Sequence, residues 1–508
     1  MPLMWEEEKF ALKLEPNHSH YLLWLGLGLC TWGLQKPAGE SSRENHTTVV
    51  LKCLIAVLAS MVLTLLNASD ISVFVVSTGL LLCLIGSLLS VSEAVGFMLI
   101  LYVCRPWEVL PKNDFWLQVP RTCIWLWLFA WMKENGKEPL RLIEHVRLSS
   151  GVGWTLVLGL WSLLTTLVSR DPSGSQQFYF DTFFRALTLV VILHLSVRTE
   201  ADVKRLQKAF IVGISTLALF SLWAFKGLNH TAPIELLPQL ADTGQRRLEA
   251  VGSLGNSNDI AAVILIPLGF LWPVIFARKT SLFNRTSASV LAILLLKSLL
   301  ASQSRGAFLA SAAQIGLLFV SRAKNPKKVS LLLVLVMLCA GLCANQIMGR
   351  NADDLDASTE SRMNYYVTGL SMALKSPVWG QGFGRYPYEF ERFTTMIVHE
   401  WGLRTAHSSW VLVLAETGCI GLLLFSIIHL KIFQAAWTLR TRQPALLLSL
   451  SGYSITILFL SHTWLMFPWI LFTLIDLHLK VLNSEQSLAA KQQDTVQGAL
   501  ESRHTFQH

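Results

Sequence analysis

Apolar runs close to the length of a membrane-crossing helix follow one another along the 508 residues, parted by short polar breaks. About 20 apolar residues carry a helix across the hydrocarbon core of a bilayer. The pattern predicts crossings at 21–34, 48–67, 71–90, 91–104, 117–132, 151–168, 182–197, 208–226, 258–277, 286–301, 305–321, 329–348, 408–430, 443–461 and 463–479. Several of these runs are short, and the stretch 71–104 reads as one helix or two, so about 12 to 14 crossings are expected. The fold class is an all-α polytopic membrane protein. The runs divide the chain into a multi-span region 1–244, a region 245–430 interrupted by a long polar segment at 349–405, further spans within 431–480, and a polar tail at 481–508 read as flexible.

Composition agrees with that pattern. Charged residues make up 15% of the chain and hydrophobic residues 52%, against roughly 25% charged in an average soluble domain. The net charge of +9 does not call for nucleic acid, because cytoplasmic loops of membrane proteins are enriched in Lys and Arg. The basic loops are "KENGKEPLRLIEHVR" (133–147), "RTEADVKRLQK" (198–208), "RKTSLFNR" (278–285), "RAKNPKK" (322–328) and "TLRTRQ" (438–443). Each is separated from the one before it by an even number of predicted crossings, so a single orientation puts all five in the cytoplasm. Segments 169–181, 227–257, 302–305, 349–405 and 461–464 then lie outside. The eight cysteines sit in or beside apolar runs without zinc-like spacing, and read as packing residues. The acidic opening "MPLMWEEEK" lacks the basic start of a cleaved signal peptide.

Four features gather on the outer side. The apolar run 286–321 is too long for one crossing and folds as a hairpin whose turn, "SQSRG", puts Arg305 at the outer end of a helix. Taken alone, that position also suits an arginine reaching for the interface. The stretch "QRRLEAVGSLGNSNDIAA" (245–262) enters a span through Asn256, Ser257, Asn258 and Asp259, any of which caps a helix, with Arg246 and Arg247 adding positive charge. Within 349–405, Ser358 or Thr359 caps a helix with Arg362 in its first turn, and Met363, Tyr366, Val367, Leu370 and Leu374 form an apolar stripe. This amphipathic helix is expected to lie on the membrane surface. It is followed by "VWGQGFGRYPYEFERF", whose alternating glycines permit a tight loop. The last feature, "RTAHSSWVLVLAETGCIGLLLF" (404–425), places His407 at the entrance of a span and Glu416 two to three turns deeper. A carboxylate at that depth marks a polar partner or pathway.

Arginines grip a diphosphate through bidentate, charge-assisted hydrogen bonds, and a histidine takes a proton from an attacking hydroxyl. An amphipathic rim suits a substrate whose tail stays in lipid. The chemistry that fits is transfer of a group from a lipid-linked diphosphate to a hydroxyl.

The ordered motifs "GSLGNSNDIA", "SQSRGAFLA", "ESRMNYYVTGLSMALKSPVWGQGFGRY" and "AHSSWVLVLAETGCIGLLLF" resemble the bacterial O-antigen ligase and polymerase superfamily over roughly residues 245–425. The resemblance implies a metal-independent, GT-C-like inner-membrane glycosyltransferase that needs no cofactor. Its donor would be a glycan on undecaprenyl diphosphate, presented at the periplasmic face. The acceptor would be lipid A–core, or a growing glycan or a protein in other members. It maps the family's two diphosphate-binding arginines onto Arg305 and Arg362 and its essential histidine onto His407; Asn256, Asn258, Arg246, Arg247 and Glu416 are candidates for support. Many relatives carry Asn-Pro-Asn where this chain has "NSN" at 256–258. The reading from another class is a flippase for lipid-linked oligosaccharide, which would use ionisable residues within the membrane such as Glu93, Lys297 and Glu416.

Overall fold

The computed structural model describes residues 89–105, 114–135, 149–225, 247–248, 254, 256–277, 279–322, 352–394 and 404–505. Its α-helices, in chain order, are α1 (Val91–Cys104), α2 (Asp114–Asn135), α3 (Ser150–Leu167), α4 (Pro172–Asp181), α5 (Phe183–Ser196), α6 (Glu200–Phe225) and α7 (Ser257–Ile275). They continue with α8 (Leu282–Ala301), α9 (Arg305–Arg322), α10 (Ala352–Lys375), α11 (Tyr386–Phe393), α12 (Ser409–Thr438), α13 (Pro444–Thr456) and α14 (Met466–Thr505). Among the described residues, seven helical segments are long and apolar enough to cross a membrane, and Val91–Cys104 and Arg305–Val320 are shorter apolar helices. The crossings predicted at 21–34, 48–67 and 329–348, and nearly all of 71–90, lie outside the described residues.

The bundle is held by close helix crossings and by buried polar side chains that bond to carbonyls of neighbouring helices. Where α7 meets α13, a side chain at Gly269 would overlap Ser449, so glycine sets the approach. Ser449 Oγ donates to the Ile266 carbonyl at 2.8 Å. Gln314 of α9, fully buried, donates to the carbonyls of Leu265 at 2.8 Å and Leu448 at 3.0 Å, tying three helices together. In lipid an unmade hydrogen bond has no water to replace it, so such clamps specify one packing. The opposite faces of α3, α8 and α12 expose Leu160, Leu167, Phe283, Ile293, Leu423 and Leu430. In a chain of this hydropathy that belt belongs against lipid.

Three sequence expectations need correction. The segment 169–181 is not a plain loop: Asp171 caps α4, accepting from the Gly174 amide at 3.0 Å, with Pro172 in the first turn. Aspartate before proline is a helix-start signal, and α4 runs on through Thr182 into α5. The amphipathic helix begins at Ala352, ahead of the predicted cap at Ser358 or Thr359. The tail read as flexible continues α14 to Thr505; its Ala, Gln, Glu, Lys and Leu are good helix formers that carry the helix past its apolar part.

Candidate functional site at one end of the bundle

The turns 302–304 and 461–465, the entries to α7 and α12, and the segments 168–171 and 376–385 meet at one end of the bundle. The predicted hairpin is present as α8 and α9, joined by a turn in which Gln303 has φ 53°. This turn is tied to the entry of α7: the Leu248 amide donates to the Ala301 carbonyl at 2.8 Å, and Arg247 Nε to the Ser302 carbonyl at 3.2 Å. Arg247 also reaches Asn258 Oδ1 at 3.5 Å. Arg305 is the first residue of α9 and half-buried at this end. Asn256 is the N-cap of α7, its side chain accepting from the Asn258 amide at 2.8 Å. Asn256 thus serves as a cap, Asn258 and Arg247 brace the entry, and Arg246 lies outside the described residues.

His407 stands just before α12, whose cap is Ser408. Its φ of 47° is a left-handed conformation, rare for a residue with a side chain. Two tyrosines of α10 help to hold it there. The Tyr366 hydroxyl donates to the His407 carbonyl at 3.4 Å, and the Tyr365 ring lies 5.1 Å from the imidazole, tilted by 31°. Tyr365 is itself fixed: its hydroxyl accepts from Arg404 at 3.2 Å, and its carbonyl from the Tyr386 hydroxyl at 2.6 Å. Burial, with the positive charge of Arg362 next in weight, lowers the His407 pKa to about 4; Asp259 acts in the opposite sense and Arg404 in the same one. The imidazole is therefore neutral, with a lone pair free to accept a proton at neutral pH. Arg362, Arg404 and Asp259 thus all lie close enough to His407 for their charges to act on it. The structure places Arg305 at the same end, joined through Arg247 and the entry of α7.

Glu416 has a different setting. It lies beside a break in α12 at Gly418, where φ is 68°. One carboxylate oxygen accepts from the Tyr386 amide at 3.0 Å and the other from Trp464 Nε1 at 2.7 Å. The carbonyls around the break are taken up from outside the helix: the Gln381 amide donates to Ala415 at 2.8 Å, the Gly382 amide to Glu416 at 3.1 Å, and Trp161 Nε1 to Thr417 at 2.8 Å. Gly380, Gly382 and Gly384 all have positive φ, so the tight loop expected from their spacing is present, seated in the helix break. Glu416 fastens this loop to the bundle. Of the flippase candidates, Glu93 forms a capping box with Ser90 at the start of α1, and Lys297 is exposed on α8.

Four residues of the site went unread in the sequence as functional. Asp259 was noticed only as a helix cap, and Tyr365, Arg404 and His462 were not singled out. His462 falls in the outer loop 461–464, and a histidine in so short a gap between apolar runs was the available signal.

Residues 290–426 match the O-antigen ligase family model, a span that holds Arg305, Arg362 and His407. The chain is also 24% identical over 319 residues to the exopolysaccharide production protein ExoQ of Rhizobium meliloti (strain 1021), covering 58% of this chain and 68% of the relative. Together with the order of motifs along the chain, these matches support a resemblance to the O-antigen ligase-like superfamily.

Proposed function

We propose that the chain is a glycosyltransferase of the inner membrane that moves a glycan from undecaprenyl diphosphate to a hydroxyl acceptor at the periplasmic face. The observation that carries this reading is the placement of His407, fixed in a left-handed turn before α12 with its imidazole 5.1 Å from the Tyr365 ring and its carbonyl held by Tyr366. Arg305 and Arg362 hold the donor's diphosphate and take up the charge that develops as it leaves. His407 accepts the proton of the acceptor hydroxyl as its oxygen attacks the anomeric carbon. The carbon–oxygen bond to the diphosphate then breaks on the opposite face, which inverts the configuration. No step calls for a metal.

The exposed Met363, Val367, Leu370 and Leu374 of α10 support a donor whose prenyl chain stays in the bilayer while its head reaches the site. The first reading of the acceptor is lipid A–core, the ligase reaction for which the matching family is named. A second is the end of a growing polysaccharide, favoured by the exopolysaccharide production named for the relative.

The deciding experiment is the length of glycan that accumulates on undecaprenyl diphosphate when this gene alone is deleted. Long polymer waiting on the carrier identifies a ligase. Single repeats identify a polymerase and exclude the first reading. Unchanged carrier-linked glycan in the deletion, with normal surface polysaccharide, would refute both.

A further inference from the structure

Asp259 sits in the first turn of α7, a position where a carboxylate is favoured by the helix dipole alone. That preference does not account for its partner. Asp259 Oδ1 lies 3.0 Å from Nε2 of His462, whose side chain is 1% exposed, while Asp259 keeps 23% of its side-chain surface open. The other ring nitrogen, Nδ1, lies 2.8 Å from the hydroxyl of Tyr453, itself fully buried in α13. A carboxylate can only accept, so Nε2 carries the hydrogen, and in the neutral ring Nδ1 then presents its lone pair to the Tyr453 hydroxyl. Tyrosine thereby fixes the tautomer of histidine, and histidine fixes the carboxylate. Such second partners are how an imidazole or carboxylate is aimed at a reacting group.

The backbone of His462 is locked as well. Its amide donates to Ser409 Oγ at 3.0 Å, and Thr463 Oγ1 donates to the Ser409 carbonyl at 3.2 Å. Ser409 opens α12, two residues beyond His407. The chain Tyr453–His462–Asp259 is therefore anchored to the helix that His407 introduces, two residues from His407 itself, and the Asp259 charge acts on that imidazole. Tyr365 and Tyr366 of α10 contact His407, and the charges that act on it are those of Arg362 from α10, Arg404 from its own segment, and Asp259 from α7. In that set Asp259 is the carboxylate.

We propose that Asp259, aimed by His462 and Tyr453, is a positioning residue that stabilises the protonated form of His407 when the acceptor hydroxyl gives up its proton. This deepens the transferase reading and rests on it. The proton moves from the acceptor oxygen to His407, the new glycosidic bond forms, and the diphosphate leaves with the electron pair of the broken bond. Asp259 stays ionised throughout and balances the imidazolium, as a carboxylate behind a general-base histidine does.

Two measurements on the full-length protein in proteoliposomes test this. The first is the pH dependence of kcat/KM for glycan transfer. Asp259→Asn is expected to lower kcat/KM by about 10- to 100-fold and to move the acid limb to lower pH, because loss of the carboxylate makes His407 harder to protonate. Asp259→Glu should recover part of the rate and restore the limb. Tyr453→Phe, which leaves the carboxylate in place, should cost about fivefold. The second measurement needs no substrate: modification of His407 by diethyl pyrocarbonate, followed by peptide mass spectrometry between about pH 3.5 and 8. In Asp259→Asn its half-point should fall towards the acid end of that range. An unchanged half-point in folded Asp259→Asn would overturn the proposal even if transfer were lost, since a purely structural role would not hold the titration of His407 in place. If the half-point moves but the unsubstituted protein transfers no glycan, the coupling of Asp259 to His407 stands and the transferase reading falls.

Discussion

At the scale of single residues, the site is a balance of charge around one imidazole. Arg404 is one of the groups that hold His407 neutral, and it also steadies Tyr365. Replacing it with glutamine removes positive charge, so His407 should protonate more readily. The acid limb of the transfer reaction is expected to move to higher pH, with the neutral-pH rate little changed; a downward move would contradict the electrostatics. Arg305→Ala and Arg362→Ala should each lose activity by about 3 kcal/mol of barrier, or more than a hundredfold, while the protein still reaches the membrane. Near-normal transfer by either variant would remove that arginine from the diphosphate site. His407→Asn is the cleaner probe of the histidine, because asparagine tolerates the left-handed backbone that His407 adopts. Loss of transfer in this variant, measured beside unchanged thermal stability, assigns the loss to the imidazole and not to the turn. The three residues proposed for the reaction could be singled out in the sequence because short motifs carry them. Asp259 was visible but read as a cap, since what distinguishes it is a histidine 203 positions away in the chain.

At the scale of elements, helix positions among the described residues followed largely from apolar periodicity, and the hairpin at Arg305 was required by length alone. The break in α12 was not foreseen. In sequence, "AETGCIG" is one small polar patch within a long apolar run, and a continuous helix is its simplest reading. Only the fold supplies donors from 381–382 and Trp161 for the carbonyls that the break releases. Gly418 is the residue that permits it: a side chain there would overlap the Val378 carbonyl oxygen, at a φ that other residues rarely adopt. Gly418→Ala should therefore destabilise the protein by about 2 kcal/mol or more. It should also raise protease sensitivity in 376–394, which limited proteolysis of membrane vesicles would report. A wild-type digestion pattern would show that the loop is held without the break.

At the scale of the whole molecule, the charge of five loops predicted one orientation, and the site residues predicted to lie outside do gather at a single end of the bundle. The sequence could indicate this because orientation is encoded locally, in Lys and Arg beside each span. Distances between spans are encoded in packing, which a single sequence does not display. A cysteine at the exposed position 405, in a cysteine-free background, should react with a membrane-impermeant maleimide in whole cells with a permeabilised outer membrane. One at exposed position 441 should react only after the inner membrane is opened. The reverse pattern would turn the protein over and place the site in the cytoplasm.

The apolar stripe of α10 bears on how the reaction must be measured. If the donor slides to the site along that stripe without leaving the bilayer, it finds the protein by diffusing in two dimensions. The rate is then governed by molecules per area of membrane, not by molecules per volume of buffer. Adding inert lipid or detergent at constant bulk donor thins the donor over the interface and should slow turnover, whereas diluting the whole suspension of vesicles should not. A KM quoted in micromolar would describe the preparation; one quoted as a mole fraction of lipid would describe the protein.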